Sequence, residues 1–341
     1  MVMKEKPGPA ILRGHEYYEF VADLAAGAFG FVQKARDKET NDLVAIKFMV
    51  RGKKTITRNV LREITNHQRL LHPHIVQFKE VFLTNTHLAI VMEFAAGGDL
   101  FTRVRDHNGM TENEARWFFQ QLIIGIDYAH KMGVVNRDIK LENSLLDGSK
   151  KPLLKLCDFG YSKSNIDSVP KSNVGTPGYA GPEVISGLRE YNGQLADIWS
   201  CGCVLYVMVF CEYPFERDGD PPAAHRRNAI VSQRIRNADY KIPDKPETSP
   251  ELKDLIRRIL VADPKHRATI LDIIAHPWFS KGLPRGVLDM NNKLVAEKQH
   301  AGYQTEEEIQ DIWEQATHAS PAQNQHIDHM IDAEYMDINE G

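Results

Sequence analysis

Two patterns of apolar residues divide the chain. Between residues 17 and 94 the apolar positions form short runs of aliphatic and aromatic residues, which is typical of β-strands. These runs lie at 29–33, 43–50 and 87–92. One helix is predicted at about 59–71, because a stripe at helical spacing carries Val60, Ile64, His67 and Leu71. The first part of the chain is therefore predicted to be mostly sheet.

After Gly97 and Gly98 the apolar spacing becomes helical. The main predicted helices span about 112–132, 194–211 and 249–261, with polar motifs in the loops between them. The most apolar run, 198–211, is too short to span a bilayer and is predicted to be a buried core helix. The fold class is therefore α+β. Its predicted parts are an N-terminal extension at 1–16, a β-rich small lobe at 17–94, a mostly helical large lobe at 95–280 and a C-terminal region at 281–341.

Charge separates the C-terminal region from the rest of the chain. The net charge is −4, yet no Lys or Arg follows Lys298, whereas ten Asp or Glu residues do. Residues 299–341 therefore carry −10, which leaves residues 1–298 at about +6. The four cysteines form no C-x-x-C pair and have no histidine-rich spacing beside them, so reduced thiols are expected rather than a zinc site or disulfides. We expect neither a nucleic-acid partner nor a membrane partner.

The segment 24–32 carries Gly27, Gly30 and Val32 at the spacing of a glycine-rich loop. Glycines in such a loop let backbone N–H groups approach the phosphates of a nucleotide. The position of the first glycine is occupied by Ala25. Taken alone, such a segment is more often an ordinary β-hairpin, so its interpretation depends on the motifs around it.

Lys47 lies fifteen residues after Val32 on an otherwise apolar predicted strand. Burial of an ammonium group is costly unless a phosphate or a carboxylate pairs with it. Glu63 on the following helix could supply the carboxylate, and the ion pair would hold Lys47 for the α- and β-phosphates of ATP. A solvent-facing lysine at the edge of the sheet is the alternative.

The most specific motif joins two polar segments. Its residues are Asn136, Arg137, Asp138, Lys140 and Asn143, followed by Asp158, Phe159 and Gly160. This order and spacing resembles the catalytic segments of eukaryotic protein kinases. The resemblance implies that Asp138 orients the substrate hydroxyl and that Lys140 stabilises the γ-phosphate. It also implies that Asn143 and Asp158 hold Mg²⁺, for which Mn²⁺ could substitute; the alternative is a set of polar residues that cap loops.

Further kinase motifs follow in order, so that the resemblance covers about residues 17–280. It implies a bilobal protein kinase fold, protein substrates, and an ion pair between Glu183 and Arg267. It also implies an ATP site formed by Leu24, Ala25, Ala26, Gly27, Ala28, Phe29, Gly30, Phe31, Val32, Ala45, Lys47, Glu93, Ala95 and Leu145. Three positions depart from the family pattern: Ala25, Asn136 in place of the usual histidine, and Gly181. These departures make a pseudokinase scaffold the alternative, although none removes a charge that the chemistry uses.

Arg137 directly precedes Asp138, and such an arginine implies control by phosphorylation of the activation loop. By its spacing Ser172 is the first candidate for this phosphate and Ser168 the second, whereas Thr176 is expected to hold the substrate backbone. An upstream kinase or autophosphorylation would add the phosphate. Asp99 and Glu142 place carboxylates near the ribose and the incoming peptide, which predicts a basic residue before the target Ser or Thr. Both acids could instead cap loops.

Residues 93–101, 158–164 and 170–177 resemble the plant SNF1-related protein kinases of subfamily 2. Thr305 and Glu308 form a capping-box pattern that predicts an amphipathic helix at about 305–317, followed by an acidic tail at 318–341. The resemblance implies that this helix packs on the small-lobe helix; an extra core helix is the alternative. It further implies osmotic or other abiotic stress signalling, restraint by a type 2C phosphatase through the tail, and a cytoplasmic or nuclear location.

Overall fold

The computed structural model of the protein describes residues 11–27, 30–159, 163–164, 178–187, 190–221, 223–297 and 304–318. Five predicted site residues and the acidic tail beyond 318 lie outside the described residues. The five are Ala28, Phe29, Ser168, Ser172 and Thr176. The chain divides into two compact units: unit 1 draws on 1–68, 77–94 and 301–341, and unit 2 on 69–76 and 95–300.

Nine strands are present in the part of the chain that the structure describes. They are β1 (Tyr18–Gly27), β2 (Gly30–Asp37), β3 (Leu43–Val50), β4 (Phe78–Leu83), β5 (His87–Glu93), β6 (Val134–Val135), β7 (Ser144–Leu146), β8 (Leu154–Leu156) and β9 (Lys163–Ser164). The first five form one antiparallel sheet in the order β1-β2-β3-β5-β4. The others form two short ribbons, β6 with β9 and β7 with β8.

The same ranges contain eleven α-helices. They are α1 (Arg58–Gln68), α2 (Leu100–Asp106), α3 (Glu112–Lys131), α4 (Pro182–Ile185), α5 (Gly193–Phe210), α6 (Ala224–Arg236), α7 (Pro250–Ile259), α8 (Ile270–Ala275), α9 (Pro277–Ser280), α10 (Val287–Glu297) and α11 (Glu306–Ala316). The predicted sheet-rich first part and helical second part are both present, so the α+β fold class is confirmed.

Strand β3 shows how the sheet of unit 1 is built. Val44, Ile46 and Phe48 alternate with less buried residues and are fully buried on one face, as a period of two requires. Lys47 lies on the opposite face, in register with Val32 of β2 and Ile90 of β5. Helix α1 packs with Ile90 in a separate apolar cluster. The alternation therefore brings Lys47 to the face of the sheet that α1 covers.

Helix α11 belongs to unit 1, although it comes last in the described chain. Its buried Ile309 and Ala316 join the apolar cluster of α1, β4 and β5. The capping box at Thr305 and Glu308 forms. Trp313 Nε1 donates to the carbonyl of Thr57, 3.0 Å away, just before α1 begins. The helix thus packs on α1, as the family resemblance implies, and completes the core of unit 1.

The start of α11 is also fixed by one glutamine amide. Gln304 accepts a hydrogen bond from Val81 N (2.8 Å) and donates one to Val81 O (2.9 Å). Val81 lies on β4, which ends the sheet order, and the side chain therefore pairs the outer backbone groups of an edge strand. Gln68, the last residue of α1, donates to the carbonyl of Gln304. Gln304 thereby ties α11 to both β4 and α1.

Unit 2 is organised around α3 and α5, whose apolar residues dominate the largest core cluster. The apolar run of α5 was predicted to be a buried core helix because it is too short to span a membrane. The buried position is confirmed, but the reason was wrong. The helix begins at Gly193 and has 18 residues, which is long and apolar enough to cross a membrane by length and composition alone. Burial decides its role, since 78% of this stretch is buried inside the protein. It is a core helix because other helices surround it.

The turn between α1 and β4 contains two buried histidines, His72 and His74. Burial lowers the pKa of His72 to about 3 and that of His74 to about 4. His74 Nδ1 lies 3.1 Å from the carbonyl of Leu154, and His72 Nε2 lies 3.0 Å from Asn291 Oδ1. Both rings are therefore neutral around pH 7 and hydrogen-bonded.

These histidines make stability depend on pH. The unfolded chain takes up protons at both sites below about pH 6.5, whereas the folded chain does not. Their contribution is therefore fully present above that pH and is lost as the pH falls towards 4, by up to about 1.4 kcal/mol per pH unit for each histidine. Urea unfolding at pH 7, 6 and 5 measures the slope. His74→Asn should give a shallower slope than the unchanged protein, and equal slopes would contradict the assignment.

Candidate active site

Lys47 and Glu63 form an ion pair in unit 1. The Lys47 Nζ lies 2.8 Å from Glu63 Oε1, with the glutamate side chain 14% exposed and the lysine 30% exposed. The strand β3 supplies the lysine and the helix α1 supplies the glutamate. The pairing agrees with the sequence-based expectation, and the alternative of a solvent-facing edge lysine does not hold because β3 is a central strand.

On either side of residues 28 and 29, the glycine-rich segment pairs as two antiparallel strands. Gly27 at the end of β1 pairs with Gly30 at the start of β2, and Ala25 pairs with Val32. A Cβ atom on Gly30 would lie 1.9 Å from the carbonyl oxygen of Phe48 on β3. This glycine is therefore required for close strand packing, a reason that the sequence pattern did not reveal.

Phe31 and Leu24, two predicted nucleotide-site residues, have different surroundings. The ring of Phe31 stacks on Phe48 with 5.1 Å between ring centroids, in the apolar cluster of β2 and β3. Leu24 is 45% exposed on β1, and its neighbours Ala25 and Ala26 are also exposed. Phe31 therefore serves the core of the sheet, while Leu24 is free to contact a ligand.

The remaining predicted nucleotide residues divide between the two units. In unit 1, Ala45 is half-buried on β3, and the Glu93 carboxylate accepts from Gln77 N at 3.1 Å. In unit 2, Ala95 is buried and Leu145 lies half-buried on β7, where it forms a backbone bridge with Asp99.

The catalytic-loop residues of unit 2 converge on the carboxylate of Asp138. This side chain is buried, yet its Oδ2 accepts from Lys140 Nζ and from Asn143 Nδ2, each at 2.8 Å. Asn143 Nδ2 also donates to the main-chain carbonyl of Asp138 at 3.0 Å. A 3-10 turn at Leu141–Asn143 brings Asn143 back towards Asp138. The local chain therefore places an acid, a cation and an amide together.

Burial raises the pKa of Asp138 above its ordinary value, because the charged form loses hydration. The hydrogen bond and the charge of Lys140 oppose this shift, and the negative charge of Asp158 adds to it. For Lys140, burial alone would lower the pKa, but the hydrogen bond and charge of Asp138 raise it overall. Asp158 is close enough for its charge to act on both groups.

Asn136, the departure from the family pattern, connects the two catalytic segments. The side chain is 1% exposed; its Oδ1 accepts from Asp138 N at 3.0 Å, and its Nδ2 donates to the Asp158 carbonyl at 3.3 Å. These two hydrogen bonds join the backbone of Asp138 to that of Asp158. Asp158 itself adopts a left-handed backbone conformation (φ 58°).

Asp197 was not predicted as a site residue, yet it holds the catalytic loop. Its carboxylate on α5 is 1% exposed and accepts from Asn136 N at 2.9 Å and from Arg137 N at 2.8 Å. His130 Nε2 of α3 lies 2.8 Å from the same group. The sequence did contain a sign of this role: Asp197 is a carboxylate in a nearly continuous apolar helix. A buried carboxylate needs hydrogen-bond donors around it.

Oxygen ligands suited to Mg²⁺ are present in unit 2. Both donors on Asn143 Nδ2 are engaged by Asp138, which leaves its amide oxygen for a cation. Asp158 supplies a carboxylate, and Mg²⁺ is commonly held by one or two protein ligands together with substrate phosphates. Within the described residues no group of three or more His, Cys, Asp or Glu could hold a metal. These residues therefore fit Mg²⁺ as the resemblance implies.

The two predicted substrate carboxylates differ. Asp99 is the N-cap of α2, where Oδ1 accepts from Thr102 N at 2.7 Å and Oδ2 from Thr102 Oγ1 at 3.1 Å. It therefore has the capping role that the sequence left open. Glu142 Oε2 is buried and makes no hydrogen bond within the described ranges. Glu142 is the better candidate for a cation supplied by a substrate.

Arg137 is held in a left-handed conformation with φ 68°. Its guanidinium lies 5.9 Å from the ring centroid of Tyr191, and its Nε is buried without a hydrogen-bond partner among the described residues.

In the same unit, the expected ion pair of Glu183 with Arg267 forms at 2.6 and 2.9 Å and is almost completely buried. A buried pair of this kind is costly to break on one side.

Comparison with known proteins places this set of residues in a family. The model of the protein kinase domain matches residues 18–279. The chain belongs to the protein kinase family. This kinase is 50% identical over 324 residues to the serine/threonine-protein kinase SRK2E of Arabidopsis thaliana. The alignment covers 94% of this chain and 87% of that protein. It is 51% identical over 306 residues to the serine/threonine-protein kinase SAPK4 of Oryza sativa subsp. japonica, with 88% and 83% covered.

A third relative gives the same result. The kinase is 52% identical over 283 residues to the serine/threonine-protein kinase SRK2A of Physcomitrium patens, with 83% of this chain and 79% of that protein covered. The resemblance to plant SNF1-related kinases of subfamily 2 is therefore confirmed. Protein kinases use ATP with Mg²⁺, and the family supports phosphotransfer rather than a pseudokinase scaffold.

Proposed function

We propose that this kinase transfers the γ-phosphate of ATP to serine or threonine side chains of proteins that carry a basic residue before the target. The observation that carries the proposal is the Asp138 carboxylate, which is buried and bonded to both Lys140 and Asn143. Phosphoryl transfer needs a carboxylate beside the attacking hydroxyl and cations beside the transferred group. The described residues of unit 2 supply both within one loop.

Each residue has a proposed role that follows from its contacts. Asp138 accepts or orients the substrate hydroxyl, and Lys140 neutralises charge on the γ-phosphate. Asn143 and Asp158 hold Mg²⁺ through oxygen atoms, and the metal supplies charge neutralisation at the phosphates when it is bound. Lys47, fixed by Glu63, binds the α- and β-phosphates.

A chain without phosphotransfer activity, acting as a scaffold, is the alternative suggested by Ala25, Asn136 and Gly181. The structure offers a physical argument against it. Asn136 bonds to the backbone of both Asp138 and Asp158, so the substituted position still connects the two catalytic segments. None of the three substitutions removes a charged group.

Signalling roles follow from the resemblance alone. We propose action in osmotic or other abiotic stress signalling, in the cytosol or the nucleus, with restraint by a type 2C phosphatase bound to the acidic tail. The tail carries five Asp or Glu residues after position 318 and no Lys or Arg, which suits a basic partner surface. A type 2C phosphatase that binds residues 1–318 as tightly as the full chain would exclude this use of the tail.

Asp158→Ala tests the catalytic proposal. Loss of a Mg²⁺ ligand should lower phosphotransfer from radiolabelled ATP to a basic peptide by roughly 100-fold or more, which is about 2.7 kcal/mol of barrier. Asp244→Ala, at an exposed loop position, is the matched control and should retain full activity. Equal incorporation by the Asp158 and Asp244 variants would refute the assignment.

Glu142→Gln tests the basic-residue preference. The variant should raise the KM of an arginine-containing peptide about tenfold with little change in kcat, because a binding contact is lost rather than a transition-state contact. A peptide without the arginine should show no such change. Glu251→Gln, on the exposed start of α7, serves as control. A KM that is equal for both variants would show that Glu142 does not bind the substrate cation.

Ser172→Ala tests the regulatory proposal. A phosphate on this residue would provide charge-assisted hydrogen bonds to Arg137, whose buried Nε has no partner within the described chain. The variant should therefore lose most of its activity after treatment with ATP, about tenfold or more, whereas Ser149→Ala should not. The measurement is the rate of peptide phosphorylation by the Ser172→Ala and Ser149→Ala variants, each treated with ATP beforehand. Full activity in Ser172→Ala would exclude control through this serine.

A further inference from the structure

Helix α10 lies beyond the segment that matches the kinase domain, yet it carries a buried polar residue into unit 2. Asn291 is 2% exposed and packs against α3. An amide in this position is costly to bury unless all its hydrogen bonds are made. An apolar residue would suffice if α10 only covered the surface of α3.

The amide of Asn291 makes three hydrogen bonds. Its Nδ2 donates to the carbonyl of Ile124 at 2.9 Å and to Asp127 Oδ2 at 2.7 Å, both on α3. These partners only accept, so the amide oxygen must point the other way, towards His72 Nε2 at 3.0 Å. Asn291 therefore connects α3 with the turn that follows α1.

A single tautomer of His72 satisfies all of its neighbours. The ring is neutral, because burial lowers its pKa to about 3. With the proton on Nε2, the ring donates to Asn291, and its Nδ1 accepts from His74 N at 3.0 Å. The ring also stacks on Tyr128, with 4.9 Å between centroids. The orientation of His72 is therefore set from α10 and α3 together.

The turn that contains His72 and His74 also holds β8, the strand before Asp158. His74 Nδ1 lies 3.1 Å from Leu154 O, and the carbonyl of His74 accepts from Leu156 N at 2.9 Å. These residues begin and end β8, and Asp158 follows two residues later. A continuous set of buried hydrogen bonds thus runs from Asn291 through His72 and His74 to the strand before the metal ligand.

We propose that Asn291 is a positioning residue of the kinase, which acts through His72 and His74 to fix the strand before Asp158 and so the affinity of the site for Mg²⁺. Groups that orient a metal ligand typically change metal affinity by 10–100-fold when they are removed. The proposal rests on the role of Asp158 as a metal ligand. It makes α10 part of the catalytic machinery.

The neighbouring asparagine provides a matched control. Asn292 is exposed, and its Oδ1 accepts only from Lys131 Nζ, at 3.0 Å, among the contacts of the described chain. Asn291→Ala should raise the Mg²⁺ concentration for half-maximal activity roughly tenfold and leave the KM of the peptide within about twofold. With a non-hydrolysable ATP analogue bound and no turnover, Asn291→Ala should also weaken Mn²⁺ binding, measured by electron paramagnetic resonance, by roughly the same tenfold. Asn292→Ala should match the unchanged kinase in all three quantities. Equal Mg²⁺ requirements for the two variants would overturn the proposal.

A double variant separates positioning from simple attachment of α10. His72→Phe keeps an aromatic ring on Tyr128 but cannot bond to Asn291. If Asn291 acts through His72, each single variant and the double variant should show the same Mg²⁺ requirement, because one connection is broken in all three. If the increases in Mg²⁺ requirement of the two single variants multiply in the double variant, Asn291 does not act through His72. His72→Phe also tests that route with α10 unaltered, should Asn291→Ala fold poorly.

The failure of this inference differs from a failure of the proposed function. If Asp158→Ala retains activity, the metal site is misassigned. If Asp158→Ala is inactive while Asn291→Ala and Asn292→Ala behave alike, the metal site stands and only the positioning role of Asn291 is lost. Thermal unfolding of each variant, monitored by circular dichroism, shows that activity is compared among folded proteins.

Discussion

The geometry of the catalytic loop depends on one buried carboxylate. Asp197 is almost inaccessible to water and takes hydrogen bonds from the main-chain N–H groups of Asn136 and Arg137, with His130 beside it. Burial of a carboxylate is unfavourable unless such donors surround it. The two N–H groups fix Arg137 in a left-handed conformation that a non-glycine residue seldom adopts. The next residue, Asp138, is thereby presented to Lys140 and Asn143.

Much of the fold and part of the site could be predicted, where the signal is local in sequence. The helix at α1 and the strand at β3 follow from spacing, and Lys47 and Glu63 lie on those two elements. Asp138, Lys140 and Asn143 lie within six residues, so a single loop must bring them near one another. Helix ends differed by up to three residues, because the final turn depends on capping contacts that a periodicity does not contain.

The rest could not be predicted because it depends on contacts between distant residues. Asp197 lies about sixty residues after the loop that it holds, and Asn291 lies 219 residues after His72. Gly30 was assigned to phosphate binding, but the carbonyl of Phe48 gives an independent reason for a glycine there. Asp99 was predicted to lie near the ribose or the incoming peptide, with loop capping as the alternative, and its carboxylate caps α2. In each case the residue type was informative, and the partner was visible only in three dimensions.

The amide of Asn136 affects which conformations the segment around Asp158 populates. It bonds at one end to Asp138 N and at the other to the carbonyl of Asp158, and almost no water reaches it. A movement of Asp158 away from this position would leave a buried amide donor unpaired, at a cost of about 1–3 kcal/mol. By itself that cost reduces such displaced conformations by roughly five- to 150-fold. The substitution that departs from the family pattern thus acts as a local bias towards one arrangement of the metal-binding segment.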